Sequence, residues 1–241
     1  MFSTVTLTRS SVRFLAPQHL ESKVLSLISS FSPGHSKATL DDFVYFALFL
    51  QHCVNKGSYD VTQTVFNEFC KQFDIGNKDI HVVASQRGLD KELASLALKA
   101  FFSAYTLDGF YYSKSSALFD CSNDVRLFAV FGGNPETTSH LDKARWMVDV
   151  YGPLIGDFVE QMSDFMQAES RDKRLVRAYP KGLCVYRWIN NTLAVPDDQY
   201  LISSPVSIPL VGLVQLMQFM VLYKTLGISP GELARRFDGK D

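Results

Sequence analysis

Gly34-His35-Ser36-Lys37-Ala38 stands one residue short of the G-x-S-x-G pentapeptide, the pattern that presents a nucleophilic serine on a sharp strand-to-helix turn. The chemistry depends on that turn, whose strain holds Oγ above a sheet edge beside backbone N–H groups that donate to an oxyanion. The flanking sequence has the wrong period for it. Upstream, Leu20, Val24, Leu27, Ile28 and Phe31 recur at helical spacing, so 17–31 reads as a helix and not a strand. Downstream, Thr39 and Asp42 read as an N-cap and capping box for a helix through Phe43, Phe46, Ala47 and Leu50. Ser36 therefore belongs to a helix-to-helix linker punctuated by Ser32-Pro33-Gly34, and no catalytic residue is assigned to the chain.

The other reactive side chains are scattered. Cys53, Cys70, Cys121 and Cys184 have neither C-x-x-C spacing nor the density of a disulfide scaffold, which points to reduced, buried thiols and a cytoplasmic setting. His19, His35, His52, His81 and His140 show no H-x-x-x-H or H-E-x-x-H spacing, and no metal site is expected. A net charge of −1 gives no electrostatic reason to expect nucleic acid or an anionic membrane as a partner. Arg171, Lys173, Arg174 and Arg177 cluster, but they interleave with Glu169 and Asp172 as a solvated helix end does. The apolar stretch 207–223 is interrupted by Gln215 and Gln218 and reads as a core helix, not a membrane span.

The elements that would position any site follow from periodicity. Thr4-Val5-Thr6-Leu7-Thr8 alternates with period two and predicts a short β-hairpin; the arginines and hydroxyls around it also fit a mitochondrial presequence, but the alternation favours the hairpin. Helices are expected at 17–31, 40–55, 60–74 and 90–107. Asp60 would cap the third, with Val65, Phe66, Phe69 and Phe73 on its inner face, and Asp90 would open the fourth. Residues 125–131 are rich in β-branched and aromatic side chains and run as a strand into Gly132-Gly133-Asn134-Pro135. Helices resume at 141–150, 152–168 and 207–226. The last has Pro209 in its first turn, Gly227 at C′ and an apolar surface nearly all round, so it should be buried on all sides. Ser229-Pro230-Gly231-Glu232 is a capping box for a short final helix, and Trp146 and Trp188 are expected in the core. The fold class is mainly α with a small β component: a hairpin and helical domain over 1–115, then the opening of an α/β unit over 116–241.

Three stretches together carry a resemblance: SALFDCSNDVRLFAVFGGNPET (116–137), WINNTLAVPDDQYLISSPVSIPLVGLVQLMQFM (188–220) and LGISPGELARRF (226–237). They resemble the N-terminal part of the β subunit of fungal type I fatty acid synthase, including the related subunits that make hexanoyl starters, with a weaker likeness at KDIHVVAS (78–85). The resemblance implies a helical segment followed by the first part of an acyltransferase domain of malonyl-transferase-like α/β fold. It implies ping-pong transfer of an acetyl or hexanoyl group from coenzyme A to a serine and on to the phosphopantetheine thiol of an acyl carrier protein. Acyl-CoA would then be a substrate, with no cofactor permanently bound, and the partners would be an acyl carrier protein and other synthase segments or subunits. In that family an F-G-G-Q-G turn supplies one oxyanion N–H, which places Gly132, Gly133 and Asn134 in an oxyanion turn here. Asn134 replaces the family's glutamine, and Pro135 replaces a glycine, fixing φ and removing one donor. By the same resemblance the G-H-S-x-G elbow and the catalytic histidine would lie beyond Asp241, which leaves Gly34–Ala38 a decoy and the chain inactive alone. A non-catalytic scaffold of the synthase is the alternative.

Overall fold

The alternation at the chain start becomes an antiparallel hairpin, β1 (Phe2–Thr6) and β2 (Arg13–Pro17), with Phe2 opposite Pro17 and Thr4 opposite Leu15. Period two sorts its side chains: Val5, Phe14 and Ala16 are buried, whereas Phe2, Thr4, Thr6, Arg13 and Leu15 face outward. This is a computed structural model, and it describes residues 1–7, 10–33, 40–107 and 139–237. The chain divides into two units, Met1–Lys114 and Ser115–Asp241.

In the first unit β2 runs directly into α1 (Gln18–Ser30), which buries Leu20, Val24 and Ile28. The second helix, α2 (Asp42–Lys56), is capped by Asp41, whose carboxylate accepts the Phe43 N–H; Thr39, the expected cap, lies outside the described residues. Eight of its side chains, from Phe43 to Cys53, are buried, because α2 is the centre on which α1, α3 and α5 pack. For α3 (Tyr59–Gln72) the N-cap is Ser58 and not Asp60. Asp60 falls inside the first turn, where its charge still opposes the positive helix end. A seven-residue helix, α4 (Ile80–Gln86), is capped by Asp79 and was not expected as a helix, being too short to show a period. The opening of α5 (Lys91–Leu107) is at Asp90 as expected, with its carboxylate accepting the Leu93 N–H. Phenylalanine rings fill the core: Phe69 packs on Phe43, Phe46 and Phe73 at centroid distances of 5.4, 5.4 and 5.1 Å.

The second unit begins with α6 (Ser139–Ser170), one helix of 32 residues where the sequence suggested two. Pro153 lies inside it and forfeits the N–H that would reach the Asp149 carbonyl. The helix continues because Val150, Leu154, Ile155 and Val159 bury one shared face across the proline. Two short helices follow, α7 (Val185–Ile189) and α8 (Asp198–Ile202), neither anticipated. Then comes α9 (Ser204–Leu226), which starts three residues earlier than expected, so that Pro205 occupies the first turn and Pro209 sits inside the helix. It ends as expected at Gly227, left-handed with φ of 66°. The capping box before α10 (Pro230–Ala234) is also as expected, with Ser229 Oγ accepting the Glu232 N–H and the Glu232 carboxylate accepting the Ser229 N–H.

One expectation about α9 fails. It packs on α6 through Val206, Leu210, Leu213, Val214 and Met217, yet only 33% of its most apolar stretch is buried, with Ile208 and Leu216 at 62% and 46% exposure. Burial on one side suffices to seat the helix; the opposite apolar face meets no cover among the described residues. By length and composition α9 alone among the described helices would reach across a membrane, a property that core helices share. The described residues are thus mainly helical with one two-stranded sheet. The strand expected at 125–131 lies outside them.

Candidate functional site

Gly132, Gly133 and Asn134, the residues of the oxyanion turn, lie outside the described residues, as does the 34–39 segment holding Ser36. The elements flanking that segment are described, and they are two helices, α1 and α2. A serine elbow needs a strand on its upstream side.

The described residues do bring one serine and one histidine together, a pair with no spacing signal. Ser30 Oγ, on the last residue of α1, lies 3.0 Å from His52 Nε2 on α2. Burial, reinforced by the Lys56 charge and opposed by a hydrogen bond to the Leu27 carbonyl, holds the His52 imidazole below the ordinary histidine range, so it is neutral near pH 7. Distance and protonation state would suit a nucleophile and its base.

Three features argue against that role. The single Ser30 hydroxyl proton has a second acceptor, the Leu27 carbonyl at 3.0 Å, and when it is spent there His52 can only donate to Ser30. Ser30 closes the C-terminal end of α1, where the helix dipole is negative and opposes a developing oxyanion. The adjacent Phe31 N–H already donates to the Ile28 carbonyl and is not free to stabilise one. The pair works instead as a latch, with the Phe31 ring 5.5 Å from the imidazole, fastening the end of α1 to α2.

A second feature of the first unit is an open groove of about 330 Å³ between the hairpin and α3, lined by Thr4, Arg13, Phe14, Leu15, Glu68, Lys71 and Gln72. Its one carboxylate is committed, accepting the Leu15 N–H at 2.9 Å and facing Lys71 Nζ at 3.6 Å. No histidine, cysteine or serine lines it.

In the second unit two described cations tie helices together. Arg145 donates to Asp142, to the Trp188 carbonyl and to Asn191 Oδ1 at 2.9, 3.0 and 3.2 Å, tying α6 to the turn after α7. Lys224 Nζ donates to the Leu154 carbonyl at 2.5 Å, anchoring the end of α9 on α6. Gln215 and Gln218 are half-buried on α9. Trp188 is core at 1% exposure, but Trp146 is only half-buried, edge-on to Tyr151. Arg171, Lys173, Arg174 and Arg177 are exposed beyond the end of α6, with Arg174 paired to Asp172. Burial pushes the Cys53 thiol up to about 12, which makes it inert, and Cys70 is equally enclosed. No cluster of three His, Cys, Asp or Glu side chains among the described residues could hold a metal ion.

No protein-family model matches the chain. Individual relatives do. The chain is 34% identical over 171 residues, 70% of its length, to the fatty acid synthase subunit beta of Schizosaccharomyces pombe, and 32% identical over 166 residues, 68% of its length, to the fatty acid synthase beta subunit aflB of Emericella nidulans. Identity to the fatty acid synthase subunit beta of Saccharomyces cerevisiae is 29% over 196 residues, 76% of the chain. The matched region is 8% of each of the first two proteins and 9% of the third, so the chain spans less than a tenth of the curated relatives it matches.

Proposed function

Over 70% of its length the chain is related to the fungal fatty acid synthase β subunits, and on that footing we propose that it is part of such a subunit and contributes to its acyltransferase. The reaction is transfer of an acetyl or hexanoyl group from coenzyme A, through a serine ester, to the pantetheine thiol of an acyl carrier protein in the cytoplasm. A serine Oγ attacks the thioester carbonyl, its proton passes through a histidine to the departing coenzyme A sulfur, and backbone N–H groups hold the oxyanion between. Residues 132–134 supply one of those N–H groups. The serine and histidine come from polypeptide outside these 241 residues, so the chain alone is inactive.

The relationship at 34% identity carries this reading. Two structural findings agree with it: the Ser30–His52 pair is placed at a negative helix end, and Ser36 is flanked by helices. The outer face of α9, which the described residues leave uncovered at Ile208 and Leu216, also agrees, since a helix of an α/β unit packs its apolar surface on a sheet. That same face favours a second reading, a scaffold that docks on the synthase without taking part in transfer.

Complementation separates the two. A Schizosaccharomyces pombe β subunit lacking its matching segment is mixed with the chain, and transfer from radiolabelled acetyl-CoA to carrier protein is followed. Restored transfer supports the acyltransferase role; binding without transfer supports the scaffold; neither binding nor transfer refutes both.

A further inference from the structure

The two outer edges of the hairpin are unequal. Leu7 N–H donates to the Val12 carbonyl and Gln18 N–H to the Met1 carbonyl, at 3.0 and 3.2 Å. Alternation along an antiparallel ladder then makes Val5–Phe14 and Ser3–Ala16 the hydrogen-bonded pairs between them. The N–H and C=O groups of Phe2, Thr4 and Thr6 are thereby turned away from β2, and none of them has a hydrogen-bond partner among the described residues. On β2 the outward residues are Arg13, Leu15 and Pro17. That edge is closed: the Glu68 carboxylate takes the Leu15 N–H, Pro17 has no N–H, and α3 runs alongside.

The edge of β1 has no such guard. Phe2 to Leu7 contain no charge, proline or glycine, the devices that normally blunt an exposed strand. We propose that β1 pairs antiparallel with β1 of a second copy of this chain, about a twofold axis at Thr4, making a four-stranded sheet in the order β2-β1-β1-β2. The outward set is centred on Thr4, so the twofold places Thr4 against Thr4 and Phe2 against Thr6 and satisfies all six free backbone groups of each copy. The facing side chains are β-formers that pair well across strands, and no like charges meet. A second copy is favoured over an unrelated strand because this symmetry is a property of the chain's own edge. The inference is independent of the acyltransferase reading.

The test is the mass of the intact chain by sedimentation equilibrium between about 1 and 100 μM, a range that spans micromolar dissociation constants. The native chain is expected to rise toward twice the monomer mass. Thr4→Pro removes one outward N–H at an edge position where proline is tolerated, and leaves the Ser3 and Val5 bonds to β2 in place. It is expected to stay monomeric with an unchanged far-UV spectrum. Thr4→Lys, a guarding charge on the edge, should weaken the dimer at least tenfold and decides the matter if the proline variant fails to fold. A native chain that is monomeric throughout overturns the proposal. So does a dimer that survives Thr4→Pro and Thr4→Lys but is lost in Leu216→Asp, which would assign association to α9.

Discussion

Phe69 offers the sharpest test of how the first unit is held together. It is fully buried and touches three rings, stacked with Phe43 at 29° and edge-on to Phe46 and Phe73. Truncation to alanine removes a whole buried ring and should cost about 3–5 kcal/mol, as large aromatic-to-alanine changes in cores do. Phe69→Leu keeps most of the apolar volume and loses the ring geometry; with three ring pairs at about 0.5–1.5 kcal/mol each, partly recovered by leucine packing, a loss of about 1–2 kcal/mol is expected. Small domains have only about 5–15 kcal/mol to lose. With a urea m-value of about 2 kcal/mol/M, the alanine variant should unfold about 2 M earlier and the leucine variant about 0.5–1 M earlier. Far-UV circular dichroism in urea reads both. An alanine loss under about 1 kcal/mol, well below the range for buried aromatics, would refute the ring cluster as the core of this unit. Equal losses for both variants would refute a separate contribution from ring geometry.

Three further outcomes follow from single sites. The His52 pKa is lowered in the folded chain, so its contribution to stability is complete above the ordinary value of 6.5 and is lost as pH falls below it toward the folded value; His52→Gln should flatten the melting temperature between pH 7 and 5, and an unchanged pH slope would count against the latch. Cys53, with its thiol pushed to about 12, should resist iodoacetamide at pH 8 in the folded chain and react once urea unfolds it; rapid labelling of the native protein would contradict its burial. Leu216→Asp on the outer face of α9 should change the stability of the second unit by less than about 0.5 kcal/mol while reducing binding of a hydrophobic dye, and a loss above about 2 kcal/mol would mean that this face is packed.

Local signals in the sequence predicted elements well where one short-range interaction decides the outcome. The hairpin follows from alternation, Gly227 from the need for a left-handed C′ residue, and Ser229-Pro230-Gly231-Glu232 from reciprocal capping. Prediction was poorer where neighbours compete. Asp60 and Ser58 both suit a cap, and the chain enters extended at Ser58. Pro153 would break a helix in isolation, yet a continuous apolar face across it outweighs one lost bond. The apolar surface of α9 signals burial without saying by what, and residues 204–226 alone cannot distinguish a helix covered by its own unit from one awaiting a cover. The Ser30–His52 contact was illegible for a different reason: residues 22 positions apart meet only because α1 and α2 pack, and no spacing rule encodes that. Gly132, Gly133 and Asn134 lie outside the described residues, and their place in an oxyanion turn follows from resemblance.

Under the proposed function, these 241 residues work in an acyl-transferring assembly whose attacking serine is supplied by other polypeptide. Intact-mass spectrometry of the chain after incubation with acetyl-CoA and with hexanoyl-CoA tests it most directly. No mass increase on the chain alone is the predicted result. A stable increase equal to one acyl group, abolished by Ser30→Ala or Ser36→Ala, would contradict it.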